Sequence, residues 1–188
     1  LHNRIGTLYD AGDGTPPDPR EAARWNQRAS DREHPGARRN LARLHELGRG
    51  RELDLDKARR LYKEAADAGD VPAARQLGQL LRRGSEDDRG RAFEWTRKAA
   101  EAGDPAGQRD LAGLYYRGIG APQDYDAAMT WYQRAADGGD SSAASDIATL
   151  FPPPAPAPDP QPAVISKMAE TTPVAAPEAP VTEPETIM

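Results

Sequence analysis

The sequence predicts an all-α fold: a right-handed α-α superhelix (solenoid) of about four helix-turn-helix repeats, followed by a disordered proline-rich C-terminal tail. Three observations predict it. The chain repeats itself from Leu1, Ala37, Ala73 and Gly107, giving units 1–36, 37–72, 73–106 and 107–142 and a capping half-repeat over 143–151. Fixed spacing of this length is the signature of stacked supersecondary units. Hydrophobic residues make up only 37% of the 188 residues and aromatics 6%, which suits a thin core of alanine and leucine repeated along the chain better than one thick core. Finally, 11 of the 37 residues from Pro152 onward are proline, a composition that cannot bury enough surface to fold.

Each unit opens with apolar residues at i, i+3 and i+4: Ile5, Leu8, Tyr9; Leu41, Leu44, His45; Leu77, Leu80, Leu81; Leu111, Leu114, Tyr115; Ile147, Leu150, Phe151. This is helical spacing with one buried face, here helix A. Gly12, Gly48, Gly84 and Gly118 follow, where a residue without a side chain can take the left-handed conformation that ends a helix.

Helix B opens with aspartate at Asp18, Asp54, Asp88 and Asp124, expected to be N-caps because a short carboxylate accepts from unpaired amides. Pro19 and Glu21 strengthen the first of these starts. Ala22, Ala58, Ala92 and Ala128, then Trp25, Leu61, Trp95 and Trp131, then Ala29, Ala65, Ala99 and Ala135 follow. Small residues flanking one large wedge let helices approach closely, so the tryptophans are expected in the core.

Helix B ends in AADAGD (65–70), AAEAGD (99–104) and AADGGD (135–140), with Glu33 and His34 in place of Gly-Asp in the first unit. A looser turn is expected there. The two residues missing from the third unit fall in the loop after Gly84, which should leave both helices intact. Pro152-Pro153-Pro154 should end the fifth helix A, making it a cap on the last repeat.

Charge and missing residue types narrow the function. Residues 1–151 carry 24 basic against 25 acidic groups, and residues 152–188 one lysine against five acids. A near-neutral folded part argues against nucleic acid, which needs a basic surface that releases counterions. With no cysteine there is no disulfide framework, thiolate zinc site or cysteine nucleophile. No stretch approaches the ~20 apolar residues of a membrane span. The chain begins at Leu1 and is expected to be a piece of a longer protein.

No catalytic, cofactor-binding or metal site is expected. His45-Glu46 begins like a helical zinc-protease motif, but the residue four after His45 is Arg49, which cannot ligate zinc. His2 and His34 lack ligand-spaced companions. Gly118-x-Gly120 lacks the third glycine and preceding strand of a phosphate loop, and the common serine-nucleophile signatures are absent.

These residues closely resemble the Sel-one-like repeat family, relatives of tetratricopeptide repeats with a longer glycine-bearing loop. The fourth unit, LAGLYYRGIGAPQDYDAAMTWYQRAADGGD (111–140), carries the resemblance best. Gly12 and Gly14, and Gly48 and Gly50, repeat its Gly-x-Gly, while the third unit lacks the second glycine. The resemblance implies a non-catalytic protein-protein interaction scaffold or adaptor, of bacterial type, with the periplasm or envelope favoured over the cytoplasm. The alternative is a cell-envelope structural protein associating with polysaccharide or peptidoglycan.

If helix A lines the concave side, as tetratricopeptide-like arrays imply, the residues beside its buried stripe are Asn3, Thr7, Asp10; Arg39, Arg43, Glu46; Arg75, Gln79, Arg82; and Arg109, Gly113, Tyr116. The five arginines are expected to form a basic strip for an acidic protein or peptide partner, since guanidinium groups grip carboxylates with two parallel bonds. The competing reading is a solvated face, because arginine supplies 21 of the 25 basic residues. Tyr116 and Tyr125 are the aromatic surface candidates. The tail is expected to be a spacer, Pro153-x-x-Pro156 being a weak docking motif without a flanking basic residue.

Overall fold

The computed structural model describes residues 2–12 and 16–152. Gly14 and the predicted tail beyond Pro152 lie outside the described residues. Helices alternate in the predicted A and B order: α1 (His2–Ala11), α2 (Pro19–Ser30), α3 (Pro35–Leu47), α4 (Leu55–Asp67), α5 (Val71–Leu81), α6 (Glu86–Glu101), α7 (Pro105–Arg117), α8 (Tyr125–Asp137) and α9 (Ser141–Leu150). Each packs against the helices before and after it in sequence, which is the stacking of a solenoid of helix pairs. Among the described residues no helix is long and apolar enough to cross a membrane.

The core runs between units. Tyr62 of α4 shares one cluster with Leu77, Leu80 and Leu81 of α5 and Ala92 of α6, so the second hairpin is completed only by the third. Ala22, Ala58, Ala92 and Ala128 are fully buried, as are Ala65, Ala99 and Ala135. These alanines let B helices sit close to their neighbours. In the terminal stripes Ile5, Leu8 and Tyr9, and Ile147, Leu150 and Phe151, are half-buried, each stripe packing among the described residues against helices on one side only.

The tryptophans are not the core wedge. Trp25, Trp95 and Trp131 are half-buried, while the next residue in each helix, Asn26, Thr96 or Tyr132, is buried, as is Tyr62 beside Leu61. The reason is helical phase: the buried line runs i, i+4, i+7 through Ala58, Tyr62 and Ala65, placing the i+3 residue on its flank. There each tryptophan is covered by a cation one turn on: Arg28 at 4.8 Å from the Trp25 ring, Lys98 at 4.0 Å from Trp95 and Arg134 at 4.6 Å from Trp131.

Asp18, Asp54 and Asp124 cap α2, α4 and α8 as expected. Asp88 does not cap α6. Ser85 does, in a reciprocal capping box with Asp88 at the third helical position. With two residues fewer in the loop, α6 begins earlier, at a residue whose hydroxyl can cap it. Gly84 correspondingly does not take the left-handed conformation, and α5 ends on Arg82 in right-handed geometry, whereas Gly48 and Gly118 end α3 and α7 at φ 63° and 64°.

The first B-to-A turn is no looser than the others. The His34 amide bonds the Ala29 carbonyl at 3.1 Å, matching Asp70 to Ala65 at 3.0 Å and Asp140 to Ala135 at 2.9 Å. Glu33 takes the left-handed place of glycine at φ 59°, and His34 caps α3 by accepting from the Ala37 amide through Nδ1.

Candidate binding face

Side chains on one A helix reach the next, which makes the A helices a continuous rank. Asn40 of α3 donates to Asn3 of α1 at 3.1 Å, and Gln79 of α5 donates to Asp110 of α7 at 2.7 Å. Arg43 pairs with Asp10 of α1, and Arg49 adds a second contact to Asp10 at 3.5 Å.

A regular ion-pair series runs along the same rank. Arg39 lies 3.6 Å from Asp70, Arg75 3.0 Å from Asp104 and Arg109 3.7 Å from Asp140, with Asp146 of α9 at 3.8 Å from Arg109. Asp70, Asp104 and Asp140 are the N-caps of the A helices α5, α7 and α9. One carboxylate thus accepts from the first-turn amides of its own helix and faces the guanidinium of the previous A helix. The structure puts Asp70, Asp104 and Asp140 beside the arginines of this face, three residues that the sequence reading does not include in it. Their signal was the recurrence of an arginine at the third place and an aspartate at the third-last place of units 37–72, 73–106 and 107–142.

The other predicted residues divide by environment. Glu46 accepts from the buried Tyr62 hydroxyl at 2.7 Å, and burial together with that bond pushes the phenol well above its ordinary range. Arg82 follows α5, half-buried, with no ion-pair partner among the described residues. Gly113 is buried, inside the packed stripe and not beside it. Tyr116 meets Tyr125 and Phe151 edge-on, at ring separations of 5.2 and 5.8 Å, so it belongs to an aromatic cluster at the end of the array. Thr7 is exposed and donates to the Arg4 carbonyl.

His45 is a packing residue, as its correspondence with Tyr9 and Tyr115 predicts. Only 5% exposed, its Nδ1 lies 3.2 Å from the Glu52 carbonyl, fitting a neutral ring that donates there. Burial holds its pKa below the ordinary 6.5.

A rank of linked A helices backed by cation-covered B helices, built from units of near-equal length, defines the class: a helical-repeat scaffold. The Sel1 repeat model matches residues 2–34, 35–70, 71–104 and 105–140, most of the chain, and the chain belongs to the Sel1 repeat family. Among solved structures it is similar to a Sel1 repeat protein from Oxalobacter formigenes, with 32% identity and a TM-score of 0.73, covering 80% of this chain and 62% of that one. It is also similar to c5321, a protective antigen present in uropathogenic Escherichia coli strains, at 29% identity and a TM-score of 0.69, covering 80% of this chain and 34% of that one. The chain therefore spans about three fifths of the first protein and a third of the second. A search of curated proteins finds no match.

Proposed function

We propose that this chain is a non-catalytic interaction scaffold whose rank of A helices receives a carboxylate-bearing segment of a partner protein, with Arg39, Arg43, Glu46, Arg75, Gln79, Arg82, Arg109 and Tyr116 lining the face. The observation that carries this reading is the arginine-aspartate series. A guanidinium has five N–H donors, and Arg75 faces Asp104 through Nε, leaving its Nη groups for a second carboxylate. Such a partner adds to the aspartate contacts and does not replace them. The aspartates also hold the arginines in place, which reduces the ordering cost of binding. The membership shown above supports the same reading, since Sel1 repeats generally mediate protein-protein interaction.

The test compares partner capture from a lysate of the source organism by the intact chain and by the triple variants Arg39→Gln/Arg75→Gln/Arg109→Gln and Arg39→Lys/Arg75→Lys/Arg109→Lys. Glutamine removes the charge without setting a new anion beside each cap, and lysine keeps the charge without the planar fork. Loss of a captured protein with glutamine and partial recovery with lysine is expected, with helical circular dichroism unchanged. Equal capture by all three chains would overturn the proposal.

A further inference from the structure

The long loops between helices A and B have a second task besides ending a helix. Gly50 has φ 66°, and a β-carbon there would collide with the Pro19 carbonyl group at the start of α2; Gly120, at φ 75°, would collide with the Arg89 carbonyl in the first turn of α6. Pro19 and Arg89 occupy the same place in their units, three residues before the invariantly placed Ala22 and Ala92. Each long loop therefore lies on the start of the preceding B helix, and glycine permits the contact. The third unit has the short loop without a second glycine. The place it leaves uncovered is Leu55, three residues before Ala58.

Leu55 is 44% exposed and Leu47 53%. With Leu80, Glu46, Arg59, Arg83 and Gly84 they line a notch of about 210 Å³. That is smaller than the roughly 300 Å³ at which small-molecule sites begin and suits a side chain presented by a peptide. Its charge is lopsided. Glu46 is engaged by the Tyr62 hydroxyl, whereas Arg83 is exposed and has no ion-pair partner among the described residues. Arg59 reaches Asp56 only at 3.9 Å, and its Nε is buried without a hydrogen-bond partner. Buried unpaired donors are costly and call for an acceptor.

We infer that the short third loop opens a docking notch for a partner peptide that inserts a leucine-like side chain against Leu47, Leu55 and Leu80 and offers a carboxylate to Arg59 and Arg83. The leucines supply the desolvated anchor and the arginines its direction. This site adjoins the end of the A-helix rank at Glu46 but does not use Arg39, Arg75 or Arg109, so it stands or falls separately from the proposal above.

The test selects a random-peptide phage library on the intact chain, on Leu55→Ser, and on a chain whose Ser85–Asp87 is replaced by the Ile-Gly-Ala-Pro-Gln stretch of 119–123. The replacement restores a long loop over Leu55 and leaves every lining side chain in place, with Asp88 serving as cap as Asp124 does in α8. Peptides enriched by the intact chain should combine an aliphatic residue with Asp or Glu. At least one such class of peptide should fall about tenfold or more in recovery on both altered chains while being retained on Arg39→Gln/Arg75→Gln/Arg109→Gln; peptides with the opposite pattern report the A-helix face instead. Finding no enriched peptide that Leu55→Ser loses, or finding that those it loses lack that composition, would overturn the inference. So would sedimentation showing concentration-dependent self-association of the intact chain that Leu55→Ser abolishes, because the occupant would then be a second copy.

Discussion

The first and fourth units fold the same hairpin from different chemistry. Where the fourth has Tyr132 wedged under α9, the first has Asn26, which donates to the Ala22 carbonyl within its own helix while its Oδ1 finds no partner. Where the fourth has Ala112 in helix A, the first has Gly6, and a β-carbon there would lie 2.7 Å from the Asn26 side chain. Gly139 becomes Glu33, Asp140 becomes His34 and Arg109 becomes Asn3. The backbone turn survives all three changes. The hydrogen-bonded turn and the alanine contacts set the geometry, and the larger residues set how strongly each hairpin is held.

The wedge should give the largest effect. Tyr132→Ala removes a buried ring that meets Phe151 at 6.3 Å and should cost about 3–5 kcal/mol, read by urea unfolding. Asn26→Ala, which loses one intrahelical side-chain bond, should cost only about 1 kcal/mol. Equal losses would show that the two units are held alike.

The turns should respond in opposite directions. Glu33→Gly relieves a left-handed non-glycine residue and should stabilise by about 1 kcal/mol, while Gly139→Ala should destabilise by about the same. A β-carbon at Gly139 would meet nothing within 4 Å, so the loss there would report backbone conformation alone. Thermal melts of the two variants, moving in opposite directions, check this.

The smallest effect concerns pH. His45 fills a place taken by Tyr115 in the fourth unit, and burial lowers its pKa below 6.5. The folded state then binds fewer protons than the unfolded one. Its contribution is complete above pH 6.5 and is lost as pH falls below that value towards the lowered pKa. His45→Tyr should remove this acid-side loss in melts recorded on both sides of pH 6.5, and an unchanged pH dependence would assign the loss to other groups.

Much of this was legible in the sequence because the repeat samples each position several times. The recurrence of Ala22, Ala58, Ala92 and Ala128 marked a close contact that one occurrence would not. Reading failed where a single unit departs from the others: Ser85 took over the cap from Asp88, and Gly84 lost its left-handed role, because the short loop shifts the start of α6. The tryptophans misled for a different reason. Size and recurrence suggested a wedge, but position within the helical turn decides burial, and the cations that cover the rings mark their outward edge. The aspartates facing Arg39, Arg75 and Arg109 escaped notice because in sequence they read only as the last residue of the turn that ends each helix B.

Each family repeat from the second onward contains both members of its own arginine-aspartate pair: Arg39 and Asp70 in 35–70, Arg75 and Asp104 in 71–104, Arg109 and Asp140 in 105–140. The aspartate nevertheless caps a helix of the following unit. A gene duplication that copies one whole unit therefore copies a complete seam, ready to receive whatever A helix comes next. The repeat over 2–34, with Asn3 and His34 at those places, carries no such seam, so a copy of it would add a hairpin without adding a pair to the series.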